Sequence, residues 1–171
     1  MSNTASRNVR NIHAQAPSSI YPALSLNAGD VRLISIEPQD DGEASKVNCT
    51  LEVTNLNHDL VPYLAVSYTW GPASVNDPTT PATPITCNGQ DILVPNNLKA
   101  ALLRIRGRPE MLGKKFWIDA ISINQTNDEE RSSQVRLMAT IYSSADSVLI
   151  WLGEEDNDTS QALDLINLFP P

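Results

Sequence analysis

Three short apolar runs constrain this chain most: Tyr63-Leu64-Ala65-Val66-Ser67-Tyr68-Thr69-Trp70, Lys115-Phe116-Trp117-Ile118-Asp119-Ala120 and Ser147-Val148-Leu149-Ile150-Trp151-Leu152. Each is rich in β-branched and aromatic residues and poor in charge, which is the pattern of a strand buried on both faces of a sheet. Segments with helical spacing lie between and after them. Strands that alternate with helices in this way imply an α/β layer structure: a mostly parallel sheet covered by helices on both faces, joined by right-handed crossovers.

The remaining elements fit around that frame. Val31, Leu33 and Ile34–Ile36 read as one strand and Val47–Val53 as another, paired as an added antiparallel β-hairpin at the sheet's margin. Asn88-Gly89 between Ile85–Cys87 and Ile92–Val94 supplies the positive φ angles of a tight turn, predicting a small second hairpin. The stretch from Gly71 through Pro84 is crowded with Pro, Thr, Asp and Asn and reads as an exposed loop.

Asn96 or Asn97 is placed to cap a helix whose stripe is Leu98, Ala101, Leu102 and Ile105, stopped by Gly107 and Pro109. A second helix runs from Asp128 to about Ala145, with Arg131, Val135, Met138, Tyr142 and Ala145 on one stripe and Glu130, Gln134, Leu137 and Ile141 on the next. A last helix is predicted near 158–168, turning Ala162, Leu165, Ile166 and Phe169 to the core. Residues 1–29 read as a flexible N-terminal arm and 30–171 as one domain.

A net charge of −8 argues against a nucleic-acid or anionic-membrane surface, and the basic stretch from Lys99 to Lys115 reads as a solvated helix end. Cys49 and Cys87 lack metal-ligand spacing, and no apolar run approaches a membrane span. The expectation is a cytoplasmic protein with reduced thiols and no bound metal.

Three blocks resemble the fungal heterokaryon-incompatibility (HET) domain family: YLAVSYTWG (63–71), FWIDAISINQTNDEER (116–131) and QVRLMATIYSSADSVLIWLG (134–153). The resemblance spans roughly 61–154. One departure is Ser122, where the family commonly has Cys, so thiol chemistry is not expected there. The resemblance implies an effector of incompatibility and programmed cell death, a form of fungal innate immunity, activated by protein partners or self-association.

More remotely the chain is similar to TIR domains, which implies a flavodoxin/TIR-like sheet and a nucleotide ligand, with NAD as a substrate for glycosidic cleavage rather than as a cofactor. By position in the helix that begins near Asp128, Glu130 is the candidate catalytic carboxylate. A carboxylate can stabilise the cation-like ribosyl centre of such a reaction. Ser67, Tyr68, Trp70, Gly71, Asp119, Asn124, Gln125 and Arg131 are the candidate ligand-binding residues, gathered at strand ends where open α/β folds hold ligands.

Each candidate has a structural alternative. Asn127 and Glu130 have the spacing of a capping box. Arg131, on the stripe of Val135 and Met138, is expected to enter the interior and pair with Asp119, or else to hold a ligand phosphate. Trp70 either stacks on a ligand ring or packs in the core, and Trp117 and Trp151 are assigned to the core. Non-catalytic partner recruitment and nucleotide sensing are the rival functions.

Overall fold

The computed structural model describes residues 20–25, 29–38, 44–58, 60–69 and 82–154. The seven strands are β1 (Asp30–Ile36), β2 (Asn48–Asn55), β3 (Tyr63–Tyr68), β4 (Ala82–Cys87), β5 (Gln90–Pro95), β6 (Lys115–Trp117) and β7 (Ser147–Trp151). They form one sheet in the order β5-β4-β2-β1-β6-β3-β7. Helices α1 (Asn96–Arg106), α2 (Asp119–Ser122) and α3 (Asp128–Ser144), with a single 3-10 turn at Pro109–Met111, complete the described elements. Among the described residues no helix is long and apolar enough to cross a membrane.

The expected parallel core is β6-β3-β7, with Leu64 paired to both Phe116 and Ser147. The β1–β2 hairpin is not marginal to it. β1 runs antiparallel to β6 and sits in the middle of the sheet, and β2 joins the β4–β5 hairpin through a short parallel contact at Cys49↔Cys87. Those two cysteines are buried and unbridged. The sheet is therefore mixed, because both hairpins extend it instead of decorating one edge.

Strand alternation sorts the core into two layers. On one face Ile34, Leu64, Val66 and Phe116 meet Leu98, Leu102 and Ile105 of α1. On the other, Val31, Leu33, Tyr63 and Trp117 meet Ile141 of α3, with Leu137, Met138 and Tyr142 at its border. Helices thus cover both faces. Ile20 and Tyr21, part of the stretch read as an arm, pack on the first face: Ile20 is buried, and the Asn88 side-chain amide donates to its carbonyl at 2.7 Å.

Local chemistry explains the element ends. Asn88 and Gly89 both adopt positive φ, 49° and 76°, as a two-residue hairpin turn demands. β4 begins at Ala82, earlier than the loop predicted through Pro84; Pro84 is tolerated because β2 pairs β4 only at Thr86 and Cys87. The run beginning at Lys115 turns helical at Asp119 rather than continuing as strand to Ala120, since Ile118 serves as N-cap of α2.

α1 starts behind Pro95 with no side-chain cap, so neither Asn96 nor Asn97 caps it. Pro95 fixes the entry φ without needing a hydrogen bond of its own. Two further expectations are corrected. The sequence predicts β7 buried on both faces, yet among the described residues it is an edge strand with Val148 and Ile150 exposed. On α3 the buried stripe is Glu130, Ser133, Gln134 and Ile141, while Arg131 and Val135 face solvent. The helix expected near 158–168 lies outside the described residues.

All four tyrosines of the chain have raised pKa values, with burial the leading cause. Tyr63 is pushed up to about 12, and the Tyr63 hydroxyl donates to the Ile141 carbonyl. A folded chain that keeps phenol protons the unfolded chain would release loses stability as pH rises past the unfolded tyrosine value of about 10. In an alkaline titration, phenolate absorbance and loss of circular dichroism should therefore rise together between about 10 and about 12. Tyrosines that ionise while the dichroism stays native would contradict this packing.

Candidate functional site

The candidate residues are placed by two adjacent parallel strands, β3 and β6, whose carboxyl ends lie side by side. α1 packs on one face of the sheet and α3 on the other. The carboxyl ends of parallel strands are where open α/β folds hold ligands. Here Tyr68 and Thr69 end β3, and Ile118 and Asp119 follow β6.

α1 closes one side of this region. The Asn97 side-chain amide donates to the Thr69 carbonyl at 2.8 Å and accepts from the Trp151 indole N–H at 2.8 Å, clamping the ends of β3 and β7. Sequence reasoning treated Asn97 as a helix cap and Trp151 as core, and missed this clamp. Asp119 is half-buried, and its carboxylate accepts from the Ala120 amide at 2.7 Å. Burial first and the Asp119 charge second push the Tyr68 phenol up, so these two side chains share one electrostatic environment. The Gln125 side chain donates to the Asp119 carbonyl at 2.9 Å, holding the loop against the start of α2.

Glu130 sits elsewhere in this region, under the β1 side. Its carboxylate is buried, with 4% of the residue exposed, and meets the Arg32 guanidinium in a two-pronged pair: Nη1 to Oε1 at 2.6 Å and Nη2 to Oε2 at 3.0 Å. Oε1 also accepts from the Asn124 amide at 2.7 Å. Arg32 uses its remaining reach on the Pro22 carbonyl at 2.8 Å and the Ser122 carbonyl at 3.1 Å, with the Tyr21 ring 4.9 Å from its Cζ. One ion pair thus joins residues 20–25, β1, α2, the following loop and α3.

The capping reading is half right. Asn127 Oδ1 accepts from the Glu130 amide at 3.0 Å, as a cap should. The reciprocal bond from Glu130 goes instead to Asn124 and Arg32. Asn124 also orders the loop, its Oδ1 accepting from the Thr126 amide at 3.2 Å and hydroxyl at 2.7 Å. Ser122 is buried, its hydroxyl oxygen accepting from the Ile118 amide at 3.2 Å.

Arg131 does not pair with Asp119. Its guanidinium is exposed, bridged to Asp128 one turn earlier at 2.8 Å and donating to the Gln125 carbonyl at 3.2 Å. The reason is helix rotation: burying Glu130 and Gln134 turns the Arg131 stripe outward. The interior arginine is Arg32, which the sequence reading passed over. Its signal was a lone charge inside the apolar strand Val31-Arg32-Leu33-Ile34, a residue that burial obliges to find a partner.

The structure therefore brings Ser67, Tyr68, Asp119 and Gln125 to the strand ends and assigns Asn124 and Glu130 to the loop–helix junction. Trp70 and Gly71 lie outside the described residues. Among the described residues no three His, Cys, Asp or Glu side chains gather to hold a metal ion.

Fold and site together define an α/β domain with a parallel strand trio, polar side chains at its carboxyl end and a buried ion pair between β1 and α3. The model of the family described as heterokaryon incompatibility protein (HET) matches residues 63–169, well over half the chain, and the chain belongs to that family. It is 36% identical over 111 residues to heterokaryon incompatibility protein 6, OR allele, of Neurospora crassa, which covers 61% of this chain and 16% of that relative. The chain spans about a sixth of the relative's length. No solved structure matches it.

Two substitutions separate the roles at the junction. Asn127→Ala should cost about 1 kcal/mol as a lost cap. Glu130→Gln, which leaves Arg32 buried without its counter-charge, should cost about 3–5 kcal/mol. Equilibrium urea unfolding checks both, and equal effects would contradict the structural weight given to the pair.

Proposed function

We propose that this chain is a HET effector domain acting in fungal heterokaryon incompatibility and the cell death that accompanies it, and that it works by self-association or partner recruitment rather than by bond cleavage at Glu130. The family and its Neurospora relative support the role in heterokaryon incompatibility. The observation that carries the second part is the state of the Glu130 carboxylate. It accepts two bonds from Arg32 and one from Asn124 while almost wholly buried. A carboxylate that stabilises a ribosyl cation must instead lie against substrate, with an oxygen turned to the reacting carbon.

A second reading, a nucleotide held at the strand ends, is favoured by Tyr68 at the end of β3 and Asp119 just after the adjacent β6, close enough for the Asp119 charge to raise the Tyr68 phenol. On that reading Asp119 accepts from sugar hydroxyls, with Ser67 and Gln125 beside it. NAD is the ligand whose cleavage would be consequential for a cell, and Glu130 would have to exchange Arg32 for substrate to take part.

Concentrated purified protein incubated with NAD, followed by chromatography for nicotinamide, tests the proposal. No release above the protein-free control is expected at any concentration. Release by the wild-type protein would overturn it. A rise in melting temperature with NAD or ATP but no product would favour nucleotide sensing, since a ligand at a hundred times its Kd stabilises by about 2.7 kcal/mol.

A further inference from the structure

The chain's two cysteines, far apart in sequence, are neighbours in the fold. Cys49 lies on β2 and Cys87 ends β4, and they are register partners in the short parallel contact between those strands. Adjacent strands lie about 4.7–4.9 Å apart, inside the roughly 4.4–6.8 Å between α-carbons that a disulfide spans. Both side chains enter the apolar layer that holds Leu98 and Leu102 of α1, and both are buried free thiols. They hydrogen-bond to one another, which is the leading influence on each, pushing the Cys49 thiol up and drawing the Cys87 thiol down. Cys49 therefore donates its S–H to the Cys87 sulfur, and Cys87 ionises first.

A buried cysteine is ordinarily a small apolar side chain. The place of this pair gives it more to do. Among the described residues the β4–β5 hairpin joins the rest of the sheet through β2, by the register pairs Asn48↔Thr86 and Cys49↔Cys87. Two backbone bonds flank the joint, from the Thr86 amide to the Val47 carbonyl at 2.9 Å and from the Asn88 amide to the Cys49 carbonyl at 3.0 Å. α1 begins directly after β5, and its Asn97 reaches Thr69 and Trp151. A covalent bond at the joint would fasten the hairpin that leads into α1.

We propose that Cys49 and Cys87 form a reversible dithiol–disulfide site, oxidised by hydrogen peroxide, whose disulfide locks the β4–β5 hairpin to β2. The Cys87 thiolate attacks one peroxide oxygen and breaks the O–O bond, leaving Cys87 as a sulfenic acid and releasing hydroxide, which takes up the proton that Cys87 gave. The Cys49 sulfur then attacks the Cys87 sulfur, forming the S–S bond and expelling the sulfenic oxygen, which leaves as water with the Cys49 proton. The sulfurs together lose two electrons and the peroxide becomes two waters. A small thiol reverses the bond by exchange. Burial makes the site selective: a bulky reagent reaches the sulfurs only when the hairpin opens, whereas peroxide is nearly as small as water and the second thiol is already in place.

Native protein treated with graded hydrogen peroxide, then denatured, alkylated and mapped by peptide mass, tests this. The expected product is a cross-link between the Cys49 and Cys87 peptides, two hydrogens lighter than the reduced pair, within one chain and reversed by dithiothreitol. The oxidised protein should melt at least about 5 °C higher, because the bond closes a long loop of the unfolded chain. Cys49→Ala should leave a Cys87 sulfenic acid that dimedone captures, and Cys87→Ala should leave no such adduct on Cys49. Native protein that keeps both thiols at peroxide levels that cross-link the urea-unfolded chain overturns the proposal. So does a cross-link between copies, or an oxidised form that melts no higher than the reduced one. Equal dimedone capture in both variants would overturn the order of attack. Mapping and melting of the wild-type chain decide the rest even where a variant fails to fold.

Discussion

The charged pair Arg32–Glu130 is the contact on which the arrangement of this domain depends. Its residues are 98 apart in sequence, and it is nearly sealed from water, with side-chain exposures of 1% and 6%. Against a well-packed apolar pair such a bridge adds little net stability, because the cost of desolvating two ions offsets their attraction. What it does is select. Once Arg32 is on a central strand, only a structure that delivers a carboxylate and several carbonyls to its guanidinium is acceptable. α3 supplies the carboxylate, and Pro22 and Ser122 supply the carbonyls.

From that requirement follow the rotation of α3, the exposure of Arg131 and the fate of Glu130 as a functional group. A helix turned to present Glu130 to β1 also buries Gln134, whose amide donates to the Asp30 carbonyl at 2.8 Å, and directs Val135 to water. The carboxyl ends of β3 and β6 are left with Tyr68, Asp119 and Gln125, while both Glu130 oxygens are taken up by Arg32 and Asn124.

Much of the architecture was legible. The three apolar runs became β3, β6 and β7, the Asn88-Gly89 turn formed as its chemistry requires, and α1 buried Leu98, Ala101, Leu102 and Ile105. The three blocks that resemble the HET family led to the right family. Strand order was not legible, because β1 pairs with β6 over a separation of about 80 residues and nothing local encodes that choice. Nor was the rotation of α3. Its two stripes are similarly apolar, and the buried one is headed by Glu130 and Gln134, whose partners lie on β1. A lone arginine in a strand announces that it needs a carboxylate without saying which one, and Arg131 with Asp119 was a plausible pair that the helix rotation ruled out.

A double-mutant cycle on Arg32→Met and Glu130→Met, read by equilibrium unfolding, tests the central claim most directly. Either single change strands a buried charge, whereas the double change leaves two apolar side chains of suitable length in its place. The account predicts that the double variant is more stable than at least one single variant, with a coupling of about 2–3 kcal/mol between the sites. Additive losses would show that Arg32 and Glu130 do not hold each other, and that Glu130 is available for other work.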